Sequence, residues 1–132
     1  AAELQHMPTA RILGYAAPQP TSGIIQAWLQ CCLDTKDMAE AERAWSFMHE
    51  QNIIPTATCF ERMARMHLMQ EQYEEAFTLL EQTKQCALVP TRRMYAAMIW
   101  TCWQHNDERW RDLMQEMQEA RYEPGERLRA LS

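Results

Sequence analysis

Four prolines mark a fixed step along this 132-residue chain: Pro20, Pro55 and Pro90 are 35 residues apart, and Pro124 follows 34 later. The first three are each followed by threonine. The two inner copies read NIIPTATCF and ALVPTRRMY, with an aromatic five residues beyond each proline. A period of this length is the mark of a repeat array, in which each copy is one supersecondary unit stacked on its neighbours. Whatever structure one copy adopts, the others must adopt as well.

Aligned on their prolines, the copies span residues 22–56, 57–91 and 92–125. Each opens with apolar residues at steps of one, three and four: Ile24, Ile25, Trp28, Leu29 and Cys32 in the first copy. The second has Cys59, Phe60, Met63, Ala64 and His67, and the third Met94, Tyr95, Met98, Ile99 and Cys102. That spacing is the stripe of an amphipathic helix. A second stripe follows in each copy: Met38, Ala41, Trp45 and Met48, then Tyr73, Ala76, Leu80 and Thr83. The third copy supplies Trp110, Leu113, Met114 and Met117 after losing one residue near Asn106. Polar breaks at Asp34, Met69 and Gln104 separate the paired helices. Proline cannot continue a helix, so it is expected to close each pair, with Thr21, Thr56 and Thr91 capping the helix that follows. The pattern predicts an all-α fold, an α-solenoid of three stacked helical hairpins. Residues 1–20, with three prolines and no sustained stripe, are expected to form an extended arm. Residues 126–132 are expected to be a tail or the start of a capping helix.

Composition narrows the function. Eighteen acidic residues against thirteen basic give a net charge of −5, the wrong sign for a general nucleic-acid binder. Five cysteines without a CxxC pair read as reduced thiols in a reducing compartment. The longest nearly apolar run, MYAAMIWTCW, is half of the ~20 residues a membrane helix needs, so direct membrane insertion is not expected. The chain begins with Ala1, which reads as trimming or processing after loss of a targeting segment.

The hairpin length, with MAEAERAWSFMHEQNIIPT and YEEAFTLLEQTKQCALVPT closing two units, resembles the pentatricopeptide repeat family. Ala41 and Ala76 near the start of each second helix, then a long amphipathic stretch and a proline, carry the resemblance. It covers about residues 21–125 and departs from the pattern at Trp110, in the alanine column. The resemblance implies an organellar protein that binds single-stranded RNA, one base per repeat. Base choice would lie with Gln26 and Thr56, Glu61 and Thr91, and Ala96 and Gly125. None of these pairs has the family's usual amide, hydroxyl and carboxylate combination. Ala96 with Gly125 offers almost no side-chain hydrogen bonding, and Glu61 would face a phosphate-lined ligand.

A narrower stretch, APQPTSGIIQAWLQCCLDTKDMAEAERAW, is similar to the subunit Va family of mitochondrial cytochrome c oxidase. The matching residues are Pro18, Pro20, Ile24, Ile25, Ala27, Leu29, Cys32, Asp37 and Arg43, with a two-residue insertion. This resemblance implies a soluble, matrix-side helical subunit of a respiratory complex.

Catalytic and metal chemistry is not expected. Cys32, His67 and Cys102 share a column, but equivalent positions in stacked hairpins lie about 10 Å apart. Shared coordination needs about 2 Å. Glu74 and Glu75 sit where a helix starts, which suits carboxylates on dipole grounds. No phosphate loop, nucleophile triad or zinc-protease motif is present, and no cofactor is implied. Arginines gather toward the C-terminal end. Arg92, Arg93, Arg109 and Arg111, with Trp100 and Trp103, form a candidate interface for protein, or for RNA through phosphate contacts and stacking. The expected function is a non-catalytic scaffold subunit of a mitochondrial assembly, on the matrix side, with other protein subunits as partners. The respiratory chain is the first choice. An RNA-binding repeat protein or mitochondrial ribosome component is the alternative.

Overall fold

The computed structural model describes residues 21–131, and they are all-α, with no strand among them. The expected arm at 1–20 lies outside the described residues. Helices α1 (Ser22–Thr35) and α2 (Met38–Glu50) fall within the first copy, and α3 (Ala57–Met69) and α4 (Tyr73–Gln85) within the second. Helices α5 (Arg92–Gln104) and α6 (Arg109–Glu119) fall within the third. A single helical turn, α7 (Glu126–Arg129), follows. Within each hairpin the two helices pack on one another, and the first helices pack in chain order, α1 on α3 on α5 on α7.

The core follows the stripes. Ile25, Leu29, Met48, Met66, Leu80, Met94, Met98, Ile99 and Met117 are fully buried, and Ala41, Ala44 and Ala76 let the paired helices approach closely. Five of these are methionines, whose flexible thioethers fill the irregular space between inequivalent neighbours. Aromatic contacts join hairpins: Trp45 of α2 meets Phe60 of α3 edge-on at 5.5 Å. Lys84 of α4 pairs with Glu116 of α6.

The helix ends repeat as faithfully as the helices. Lys36, Glu71 and Asn106 each have positive φ just beyond a first helix, and Asn52, Ala87 and Arg121 just beyond a second. In every case the next amide bonds back to a carbonyl five residues earlier. Asp37 reaches Cys32 O at 3.0 Å, and Leu88 reaches Thr83 O at 3.1 Å. This is the Schellman closure, which satisfies carbonyls the helix leaves open. It also corrects the role expected of proline. The second helices end at Glu50, Gln85 and Glu119, well before Pro55, Pro90 and Pro124. The left-handed residue stops the helix, and proline shapes the linker that carries the chain to the next cap. Of the three expected caps, Thr56 and Thr91 accept from the amides of Cys59 and Met94, at 3.3 and 3.1 Å. Thr21 makes no side-chain cap bond. Asp37 caps α2 in the same way, accepting from the Glu40 amide at 3.1 Å.

None of the six left-handed positions is glycine, although a Cβ there costs roughly 1–2 kcal/mol. Ala87, exposed and without the local side-chain bonding that eases asparagine into this region, is the clearest case. Part of the gain from glycine is lost to its freer unfolded chain. Ala87→Gly is therefore expected to stabilise the protein by about 0.5–1 kcal/mol, a rise in melting temperature of ~2–5 °C by circular dichroism. A lower melting temperature would contradict the assigned backbone.

Candidate interaction surface

The positions expected to read bases are turned to another use. The Gln26 amide donates to Thr56 Oγ1 at 2.7 Å, bridging α1 to the cap of α3. One repeat later the geometry recurs: Thr91 Oγ1 donates to Glu61 Oε1 at 2.8 Å, joining α3 to the cap of α5. Glu61, only 6% exposed, also pairs with Arg65 at 3.3 Å. The expectation that Glu61 would face a phosphate-lined ligand is corrected: its carboxylate is buried between two partners of its own chain. Arg62 adds a third tie, donating to the backbone carbonyl of Gln26 at 2.6 Å.

The third pair differs. Ala96 and Gly125 make no such bridge, because neither has a polar side chain. Arg92 fills the space instead: its Nε donates to the Glu123 carbonyl at 2.9 Å, and its guanidinium lies 3.4 Å from where a Gly125 Cβ would stand. Tyr122 donates to the Pro90 carbonyl at 2.9 Å, so this linker is clamped from both sides.

The expected Arg-Trp interface divides into parts. Trp100 and Trp103 stack with centroids 5.5 Å apart and an interplanar angle of 22°. Exposed Arg93 shares their helix and, seven residues before Trp100, their side of it. Arg109 and Arg111 belong to α6. Arg109 lies 3.8 Å over the Phe77 ring and binds Glu74 and Asp107, so it works as a link between the second and third hairpins. That bond holds the Asp107 carboxyl below its usual range. Arg111 sits over Trp110 at 5.5 Å. A groove of about 630 Å³ opens beside these residues, bordered by Trp103, Trp110, Arg111 and Leu131.

Arg127, one of the arginines gathered toward the C-terminal end but outside the expected interface set, belongs to it. Its guanidinium stacks on Trp100 at 3.6 Å. The signal was available, since continuing the period past Gly125 puts Arg127 where the third copy has Arg93. Arginine over tryptophan is a favourable cation–π contact, worth about 0.5–1 kcal/mol at an exposed site.

Charge is sorted between the two sets of helices. The first helices, α7 included, carry Asp34, Glu61 and Glu126 against Arg62, Arg65, Arg92, Arg93, Arg127 and Arg129, a net +3. The second helices carry nine carboxylates against Arg43, Lys84, Arg109 and Arg111, a net −5. The overall acidity therefore lies on the second helices and the turns.

The expected column of Cys32, His67 and Cys102 does not form a site. Cys32 and Cys102 are buried thiols, and burial pushes Cys102 up to about 11, which keeps it protonated and unreactive near neutrality. His67 bonds instead to Gln72 at 2.8 Å. Glu74 and Glu75 lie in the first turn of α4. No group of three or more metal-ligating side chains occurs among the described residues. Nor is any described helix long and apolar enough to cross a membrane.

One set of columns is open. In the second and third hairpins, Cys59 and Met94 are 0% exposed, whereas Ile24, their equivalent in α1, is 52% exposed. Met66 is fully buried, whereas Cys31, its equivalent, is exposed. No protein-family model matches the chain, and no curated protein matches it.

Proposed function

We propose that this chain is a non-catalytic helical-repeat scaffold subunit of a mitochondrial multiprotein assembly, a respiratory-chain complex in the first place. One observation carries the reading. Two of the three base-reading pairs are tied to each other as inter-repeat bridges, Gln26 with Thr56 and Glu61 with Thr91, so their facing groups are engaged within the fold, and Glu61 is buried besides. An array that spends these pairs on its own interfaces but leaves large apolar side chains exposed is suited to holding other proteins. Ile24 and Trp103 are such side chains, at opposite ends of the array. The similarity of Ala17–Trp45 to oxidase subunit Va supports a respiratory complex on the matrix side.

A second reading has its own support. Net positive first helices and the Trp100, Trp103 and Arg127 stack suit a single strand held by its phosphates and by sequence-tolerant stacking. The test is the size of the native complex in a mild-detergent organelle lysate, with and without ribonuclease. The scaffold reading expects a large species that survives ribonuclease and co-migrates with cytochrome haem. Collapse to a small species would replace it with RNA or ribosome binding.

A further inference from the structure

The end face of α1 has an assignable occupant, because the molecule contains the same face twice in its covered form. Around Cys59 and Met94, the column is buried where the preceding first helix lies across it. Cys59 Sγ sits 3.9 Å from the Ser22 carbonyl, and the chain directions are pinned by the Gln26–Thr56 and Glu61–Thr91 bridges. Ile24, Ala27, Trp28 and Cys31 present that column with no described helix before it. Trp28 is already fixed for such a role. Its indole donates to Glu40 at 3.0 Å and its ring lies against Phe47 at 5.7 Å, so it forms a firm edge to the patch.

Charge narrows the partner. Helix α1 carries no lysine or arginine, while α3 and α5 carry two arginines each. Nothing on this face neutralises a phosphate, so a nucleic acid does not suit it. In α3 the column includes Arg62, which asks the preceding helix for a carbonyl. The equivalent residue of α1 is Ala27, which makes no polar demand. The face asks only for an apolar strip at helical spacing.

We infer that the face formed by Ile24, Ala27, Trp28 and Cys31 seats the apolar strip of a helix in a helical hairpin supplied by a partner protein. That hairpin continues the stack in trans beyond α1. The inference rests on the scaffold reading and names the chemistry of its partner. A second copy of this chain fits less well. Its C-terminal end already holds α7 against α5, where the first helix of a fourth hairpin would lie.

Cys31 is a built-in reporter once Cys86, the other exposed thiol, is replaced in a Cys86→Ser chain, since Cys32, Cys59 and Cys102 are buried. The experiment compares maleimide labelling of Cys31 in the purified full chain and in the native assembly, each normalised to the denatured chain. A photoactivatable cross-linker on Cys31 then records what lies against it. The expected result is full labelling in the purified chain and at least a tenfold loss in the assembly. The cross-link should fall on a two-helix segment of a different polypeptide. Equal labelling in both states overturns the inference while leaving the scaffold reading intact, because the chain is then in an assembly that does not use this face. Protection already in the purified chain, or a cross-link to residues 1–20, to a second copy or to nucleic acid, also overturns it. A chain that migrates alone in the lysate overturns both.

Discussion

Met66→Lys is expected to abolish the folded array, whereas Cys31→Lys, one repeat earlier in the same column, is expected to leave the melting temperature within about 2 °C. The two positions differ by one period and share a helix register, but only one has a hairpin stacked over it. Met66 is fully buried in α3. A lysine there either loses its charge or carries it into an apolar interface, at several kcal/mol in either case. That is comparable to the whole stability of a small domain, ~5–15 kcal/mol. A short array has no distant repeats to compensate, because each hairpin is held only by its neighbours. At Cys31 the ammonium stays in water and lysine is a good helix former. Thermal melts followed by circular dichroism decide the matter. Comparable unfolding by both substitutions would mean that the α1 face is covered within the chain itself. A normal melt for Met66→Lys would mean that the columns are not equivalent.

The contrast also marks what the sequence made legible. The period located all six long helices and their apolar stripes, because a 3.6-residue pattern needs only local spacing to be seen. It placed Thr56 and Thr91 as caps, because cap chemistry is local as well. The stop signals were misplaced onto proline. The true stops are left-handed residues at Lys36, Asn52, Glu71, Ala87, Asn106 and Arg121, and only two of these are asparagine. A side-chain vocabulary built on glycine passes over the other four. The use of Glu61 was illegible for a different reason. Its partner Thr91 is 30 residues away, and only the stacking of α3 on α5 brings the two together. The openness of Ile24 was hidden in the same way, since its stripe reads like that of the other copies and only its position at the end of the stack differs.

The bridge at the second interface supplies the other large effect. Thr91→Val is expected to destabilise the protein by about 2–4 kcal/mol, and Thr56→Val by only about 1–2. Valine keeps the shape of threonine and removes the hydroxyl, so packing is held constant. At either site the helix loses its cap, which costs ~1 kcal/mol. At Thr91 the loss goes further, because the hydroxyl is also the donor to a nearly buried carboxylate. Glu61 is then left with Arg65 alone, and an unmet buried acceptor costs a further ~1–3 kcal/mol. At Thr56 the lost partner is the half-buried Gln26 amide, which water can reach in its place. Chemical denaturation of Thr91→Val, Glu61→Met and the double variant closes a cycle, with a coupling of at least about 1 kcal/mol expected between the two. Additive effects would mean that the bridge does not form in solution. A strong coupling bears on function as well as stability. A residue pair that must hold two hairpins together is not available to exchange its hydrogen bonds with a base, so base reading through Glu61 and Thr91 is not expected.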